Sequence, residues 1–207
     1  MKKIIVAGVV GFLSLALAGS CFAESYFAGN VGFVSVSDAA VTDSGLATAG
    51  ITNAEFSFDN GVGLSLAVGS RISDVIRAEG EFSYRKNDMD TLSANYMGMP
   101  GSIPVNGEIE SMTLMGNFFA DIDTNSAVTP FIGAGIGFSK VDGELEGDSE
   151  DDTVFAYQLI LGTGFKVNDV TNIDVSYRYF ATADPEFDGT EVEYATHNFM
   201  AGVRLTF

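Results

Sequence analysis

Apolar and polar side chains alternate with a period of two residues along most of the chain after residue 24. Because successive side chains of a β-strand point to opposite faces, this alternation predicts strands, and no stretch of 10–15 residues there has a helical period. All eight predicted strands have 9–16 residues, which is longer than the usual strands of a soluble sheet. Their predicted bounds are 26–36, 55–70, 75–85, 110–121, 128–141, 153–167, 172–180 and 197–207.

The predicted connections alternate between short and long. The short ones are 71–74, 122–127 and 168–171, and the long ones are 37–54, 86–109, 142–152 and 181–196. Short turns on one side and long loops on the other are typical of outer-membrane barrels, and a closed barrel pairs every backbone group in lipid. We therefore predict an all-β fold, an eight-stranded antiparallel up-and-down transmembrane β-barrel in a bacterial outer membrane. Both termini are expected to be periplasmic and the long loops extracellular.

The first 23 residues have the pattern of a secretory signal peptide. Lys2 and Lys3 precede an apolar run over residues 4–18, and Cys21 and Ala23 suit a cleavage site before Glu24. This predicts a cleaved signal peptide over 1–23 and a barrel domain over 24–207. Lipid attachment at Cys21 is the alternative, although such signals usually carry a bulky residue where this chain has alanine.

Charge and cysteine content narrow the class of protein. Without the two lysines of residues 1–23, eight basic residues face 28 acidic ones, a net charge of −20. That balance argues against a nucleic-acid partner and against a polybasic membrane anchor. The same part of the chain has no cysteine, so a closed ladder of strands has to supply the stability that disulfides give other exported proteins. We expect no cofactor.

Charged residues recur on the faces that the alternation turns inward, where small barrels are filled with side chains. Alternate glycines at 133, 135 and 137 are expected to relieve crowding on the same side. The predicted polar network of the lumen consists of Arg77, Glu79, Glu81, Arg85, Asp121, Asp174, Arg178 and Arg204. The sequence does not indicate which of them pair.

Three segments, 58–61, 77–85 and 129–137, resemble the opacity proteins and related surface-antigen barrels, which belong to the wider OmpA/OmpX-like group. The resemblance extends over essentially the whole chain after residue 23. It implies an eight-stranded outer-membrane barrel and is much less specific about function, because such barrels serve as adhesins, structural proteins or immune-facing antigens.

The last strand ends on an aromatic residue and looks like the signal that the barrel-assembly machinery recognises. Its outward apolar positions are Phe199, Val203, Leu205 and Phe207. An aromatic residue at that end also suits the interfacial girdle of a membrane protein, and the two roles are compatible.

Two long loops carry candidate binding residues. An acidic run in the third loop could hold a divalent cation, although the ligand order of an EF-hand is missing, and a solvated loop is the alternative: Glu144, Glu146, Asp148, Glu150, Asp151 and Asp152. Apolar residues in the second loop favour a contact site, with packing over the barrel mouth as the alternative: Tyr96, Met97, Met99, Ile103 and Val105.

His197 is the only histidine and is expected near the outer rim beside the hydroxyl of Thr196. Some eight-stranded barrels are lipid A-modifying enzymes that use histidine and serine there, but a matching motif is missing, so a rim histidine is the simpler interpretation.

Together these features predict a non-enzymatic surface barrel with a structural, adhesion or antigen role. The alternatives are a narrow channel for small solutes, a lipid A-modifying enzyme and a soluble barrel of the lipocalin type, which the inward charges disfavour. The expected partners are outer-membrane lipids and lipopolysaccharide, the barrel-assembly machinery, and host or surface ligands that bind the loops.

Overall fold

The computed structural model describes residues 24–37, 39–42, 51–96, 99–145, 148–187, 190–192 and 194–207, so the predicted signal peptide with Cys21 lies outside the described residues. The strands of this part are β1 Ser25–Val36, β2 Ala39–Thr42, β3 Ile51–Phe58, β4 Gly61–Arg71, β5 Ile76–Tyr96, β6 Met99–Asp121, β7 Val128–Leu145, β8 Asp148–Lys166, β9 Thr171–Thr182, β10 Glu186–Phe187, β11 Thr190–Val192 and β12 Ala195–Thr206. Within the described ranges, no helix is both long and apolar enough to cross a membrane.

Eight of the strands form a closed antiparallel ring in the order β1, β4, β5, β6, β7, β8, β9, β12. The ring closes between the first and last strands, where Tyr26 lies opposite Thr206 and Val36 opposite Thr196. The ring strands pair in the order in which they follow one another along the chain. The shorter strands β2 and β3 lie in the connection between β1 and β4, and β10 and β11 lie in the connection between β9 and β12. The predicted eight-stranded antiparallel up-and-down barrel is confirmed.

Several predicted bounds at the long-loop end were wrong. The predicted strand 55–70 is two strands, since β3 ends at Phe58, the backbone N–H of Asp59 donates to Asp88 O, and only β4 joins the ring. The predicted loops 86–109 and 142–152 are hairpin extensions, in which β5 and β6 pair out to Tyr96 and Met99. The alternation of apolar and polar side chains marks only the part of each strand that has lipid on one face and the lumen on the other. Toward the far ends of the hairpins this pattern is lost, although backbone pairing continues.

The outer face of the ring is apolar over a continuous belt. Phe33 is 71% exposed and Phe199 opposite it is 61% exposed. Further belt residues are Val62, Leu66, Phe82, Phe118, Ile136, Phe138, Leu161, Val175 and Phe207. Apolar surface of this extent is stable in lipid rather than in water.

The glycines of β7 face the lumen, as the alternation predicted. A Cβ on Gly135 would lie 1.9 Å from Asn117 Oδ1, and one on Gly137 would lie 2.0 Å from the carbonyl oxygen of Leu114. A side chain at Gly137 would have to displace the backbone of β6, and one at Gly135 would have to displace the side chain of Asn117, so the close approach of β6 and β7 depends on glycine.

Candidate functional site

Among the described residues, three ion pairs between strands join the predicted lumen residues to one another. The guanidinium of Arg77 donates to both carboxylate oxygens of Asp121, with Nε–Oδ2 and Nη2–Oδ1 distances of 2.9 Å. At the short-turn end, Arg204 donates to Asp174 with an Nε–Oδ2 distance of 2.9 Å. Near the middle, Arg178 Nη1 donates to the buried carboxylate of Glu81. The structure thus places all eight predicted lumen residues inside the barrel, and six of them form these pairs.

The other two, Glu79 and Arg85, bind uncharged partners. Glu79 accepts hydrogen bonds from the hydroxyl of Tyr26 at 3.1 Å and from Asn117 Nδ2 at 3.3 Å. Arg85 Nε donates to Asn198 Oδ1 at 3.1 Å, and its guanidinium lies 3.9 Å from the ring centroid of Phe180. The two charges are therefore held by hydrogen bonds and by an aromatic face.

Uncharged polar residues link these groups, and the sequence analysis missed them. Gln158 Nε2 donates to Glu81 Oε1 at 3.2 Å and to Asn117 Oδ1 at 2.8 Å, which joins the middle of the network across the lumen. Asn117 and Asn198 both occupy inward positions in predicted strands. Their inward parity was the signal in the sequence, because uncharged polar residues at such positions can join a network of buried charges just as the charged ones do.

Two apolar clusters lie in the lumen, and the one toward the short turns contacts the polar network, since Arg77 Cζ lies 4.6 Å from the ring centroid of Phe119. The cluster at the long-hairpin end comprises Val36, Ile109, Met115, Val141, Ala156, Phe180 and Tyr194. The one toward the short turns comprises Phe119, Phe131 and Ile160. Between them a cavity of about 10 Å³, lined by Ser65, Arg85, Arg178 and Asn198 among others, is roughly the size of one water. The interior is therefore packed with side chains.

The long-hairpin end is strongly acidic. Segments 37–60, 86–110, 140–153 and 181–196 hold 20 of the 28 acidic residues but only two basic ones, Lys86 and Lys140. Lys86 lies just beyond the belt and contacts both Glu108 and Glu110, and hydrogen bonds to these carboxylates raise its pKa. Lys140 likewise contacts Asp142 and Asp151. Each lysine is thus held between two carboxylates.

The acidic run of the predicted third loop lies mainly in the β7–β8 hairpin. Gly143 lies opposite Glu150, Val141 opposite Asp152, and Asp148 begins β8 opposite Leu145. Glu144, Glu150 and Asp151 are exposed, whereas Glu146 lies outside the described residues. In the described part of the chain, no three histidine, cysteine or acidic side chains are grouped so that they could hold a metal ion. Strand pairing organises the described part of this run, and a metal site there stays a prediction.

The predicted contact residues of the second loop lie near the end of the β5–β6 hairpin. Met99 is 67% exposed and Ile103 is 59% exposed, while Val105 is half-buried. Tyr96 is the last residue of β5 and pairs with Met99, and Met97 lies outside the described residues. The two exposed apolar side chains do not fold over the barrel mouth.

His197 and Thr196 lie on opposite faces of β12. Thr196 is fully buried in the lumen, whereas His197 is in an aromatic group on the outer face. The Nδ1 atom of His197 is 2.7 Å from the hydroxyl oxygen of Tyr177, and its ring centroid is 5.5 Å from that of Tyr179. Strand alternation therefore separates the hydroxyl and the imidazole that a nucleophile–base pair would need.

The four residues of the expected assembly signal all point outward. Their exposed fractions are 61% for Phe199, 45% for Val203, 48% for Leu205 and 70% for Phe207. Phe207 stacks on Phe27 of β1 with ring centroids 5.0 Å apart. Their place in the belt is clear, and a role in assembly stays a prediction.

Comparisons with known proteins agree with this architecture. A family model described as "Outer membrane protein beta-barrel domain" matches residues 4–207. The outer membrane protein PagN of Salmonella typhimurium is 27% identical over 132 residues, which cover 53% of this chain and 55% of PagN. The chain spans about half the length of the curated relatives it matches.

Solved structures show the same fold. Neisserial surface protein A has a TM-score of 0.57 at 19% identity, covering 88% of this chain and 97% of that one. The outer membrane protease OmpT from Escherichia coli has a TM-score of 0.54 at 8% identity, covering 89% of this chain and 97% of its own. At such identities the likeness concerns the fold alone, so function has to be argued from the residues of this chain.

Proposed function

The chain belongs to the outer membrane protein β-barrel domain family of bacterial outer membranes, and from that premise we propose a non-enzymatic surface barrel that acts through its long hairpins. In this proposal the hairpins lie outside the cell and both termini lie in the periplasm. The observation that carries it is the contrast between the two parts of the molecule. The lumen is packed and its charges have partners, whereas β5 extends from Tyr84 to Tyr96, about 40 Å of strand, beyond the belt.

The packed lumen argues against the competing function of a solute channel. A permeant molecule would have to displace the cluster around Phe180 and Tyr194, the cluster around Phe119 and Phe131, and the ion pairs of the lumen. We expect planar-bilayer recordings of the purified protein to show no conductance steps. Reproducible unitary steps from heat-modifiable, folded protein would contradict the proposal.

The position of His197 argues against a lipid A-modifying enzyme. It stacks on aromatic rings and contacts the hydroxyl of Tyr177, and the neighbouring hydroxyl of Thr196 points into the lumen. We expect His197→Ala to leave the acyl pattern of lipid A unchanged in cells that express the protein. A changed pattern, with the variant present in the outer membrane at the wild-type level, would restore the enzyme hypothesis.

Shortening the hairpins tests the surface role directly. Replacing residues 88–108 by a two-residue turn keeps the belt and lumen strands, and a matched variant shortens the β7–β8 hairpin over 143–150. Both variants should still migrate as heat-modifiable barrels, because every buried residue of the two apolar clusters is kept and the first variant loses only the contact of Met89 with the cluster at the long-hairpin end. We expect at least one of them to lose attachment of whole cells to other cells or surfaces. Unchanged attachment after each hairpin has been shortened would refute an adhesive role.

A further inference from the structure

The end of the β5–β6 hairpin forms a separate structural unit, which we call the distal arm: residues 91–96 of β5 with 99–104 of β6. A bulge between Met89 and Thr91 interrupts the register and separates the arm from the stem of the hairpin. Bulges increase the local twist and redirect a strand. On its other side β5 pairs with β3, so the backbone of the arm is three-stranded.

The two faces of the arm differ in chemistry. Cross-strand pairing puts Ile103 opposite Leu92 and Gly101 opposite Ala94, and residues directly opposite each other share a face. Ser102 lies opposite Ser93 on the other face, which also carries hydroxyl and amide side chains from Thr91 and Asn95. One face of the arm is therefore apolar and the other polar.

Within the described ranges, the apolar face is open. Pairing of β6 with β7 begins only at Gly107, so in the described part of the chain no strand covers the free edge over 99–106. A Cβ on Gly101 would meet only one atom within 4 Å, at 4.0 Å. Pro100 and Pro104 lie on this edge and lack an N–H, which disfavours the addition of another strand. A partner would therefore bind the arm through the side chains of its apolar face rather than by adding a strand to its edge.

The stem directly below this face is acidic. Asp88 and Asp90 are exposed there, and Glu108 and Glu110 lie on the facing strand. Lys86 is the one basic residue among them and is already held by both glutamates. Apolar side chains beside an uncompensated negative charge are complementary to a segment that carries apolar and basic side chains.

We propose that the distal arm binds a cationic amphipathic segment of a partner protein. Apolar side chains of that segment cover Leu92, Met99 and Ile103, and its lysines or arginines meet Asp88 and Asp90. Other occupants fit less well: the charged stem, about 16 Å long, separates the arm from the belt, and a second copy would bring its own acids. The inference deepens the proposed function and rests on it in one respect, namely that the arm lies outside the cell.

The probe is a 12-residue peptide of alternating leucine and lysine, added to the full chain in phosphatidylcholine nanodiscs, with empty nanodiscs as the blank. We expect it to bind more tightly than leucine–glutamate and serine–lysine peptides of equal length. The double variant M99S/I103S should bind it at least about tenfold more weakly, since central apolar contacts dominate such interfaces. The double variant D88N/D90N should also weaken it about tenfold and should flatten its salt dependence.

Matched controls keep the result specific to this face. Ser102→Ala alters the polar face of the arm, and Asp123→Asn removes an acid at the short-turn end; both should bind like the wild type. Heat-modifiability checks that every variant is folded.

Three outcomes would overturn the inference. M99S/I103S could bind as tightly as the wild type, the serine–lysine peptide could bind as tightly as the leucine–lysine peptide, or the wild type could self-associate through Met99 and Ile103. Proteolysis of intact cells separates this inference from the surface role. If an added protease cannot reach the arm, the surface role fails while peptide binding to the purified chain still stands.

Discussion

The ion pair between Arg77 and Asp121 offers the sharpest test of what stabilises the barrel. Both side chains are almost fully buried, at 3% and 4% exposed, and hydrogen bonds join the guanidinium to both carboxylate oxygens. Arg77→Met removes the charge and keeps much of the volume. The Asp121 carboxylate then keeps one ion pair, to Arg71 Nη2 at 3.2 Å, whose side chain is 30% exposed.

Removing one partner of a buried pair costs about 3–5 kcal/mol, because the remaining charge stays desolvated. Because the contact of Asp121 with Arg71 survives, the cost of Arg77→Met should be about 3 kcal/mol, near the lower end of this range. The substitution also removes the contact of Arg77 with the ring of Phe119, 4.6 Å away, which adds a little to the cost. The double variant R77M/D121L removes both charges and should recover most of this loss. Asp169→Asn is the matched surface control. Its partner Lys166 is 54% exposed and Asp169 is 97% exposed, so that pair contributes little.

Reversible urea unfolding in lipid vesicles, followed by far-UV circular dichroism and by the heat-modifiable gel band, measures these differences. The chain has no tryptophan, so the usual fluorescence signal would have to come from tyrosine. A loss of about 3 kcal/mol corresponds to roughly a hundredfold change in the unfolding equilibrium. The reasoning is refuted if Arg77→Met costs no more than Asp169→Asn, or if R77M/D121L is as unstable as the single variant.

Two further predictions follow from other parts of the structure. Gly135→Ala would place its Cβ 1.9 Å from Asn117 Oδ1 and should destabilise the barrel by about 1–3 kcal/mol in the same assay, whereas Gly101→Ala on the open arm should leave the unfolding midpoint unchanged. The hydrogen bond from Lys166 lowers the pKa of Asp169 in the folded state. The contact therefore stabilises the fold at pH values above the pKa that Asp169 has in the unfolded chain. This stabilisation is lost as the pH falls through the pKa of Asp169 in the folded state. A carboxyl titration by NMR should therefore show this pKa rising toward that of a free aspartate in Lys166→Ala, and an unchanged pKa would contradict the contact.

The faces of the barrel could be predicted from the sequence because lipid and lumen impose opposite demands on alternate residues. Arg77, Arg178 and Arg204 were assigned inward from parity alone, and the structure places them there. Their partners could not be predicted. Arg178 and Glu81 are 97 residues apart on strands that are not neighbours in the ring, so their contact depends on how the closed barrel brings its inner surfaces together.

The hairpins beyond the belt were predicted as loops for a related reason. Side-chain alternation reports the environment of each face, whereas strand pairing depends on backbone hydrogen bonds, which almost any sequence can form. Residues 86–109 keep their pairing in water without keeping a two-faced pattern throughout. A pattern search that depends on burial therefore ends at the edge of the membrane, although the strand continues.

That difference bears on where recognition is located. Within the belt, each side chain is constrained by lipid on one side or by a packed lumen on the other, so a substitution there acts first on stability. Above it, backbone pairing with β3 and β6 holds the arm, and Met99 and Ile103 remain in water. Full burial of a large apolar side chain stabilises a protein by roughly 1.5–3 kcal/mol. The exposed side chains of Met99 and Ile103 do not contribute this free energy. Only binding to another molecule can recover that free energy without changing the barrel. Substitutions in the arm should therefore alter affinity and leave unfolding unchanged, whereas substitutions in the lumen should do the reverse.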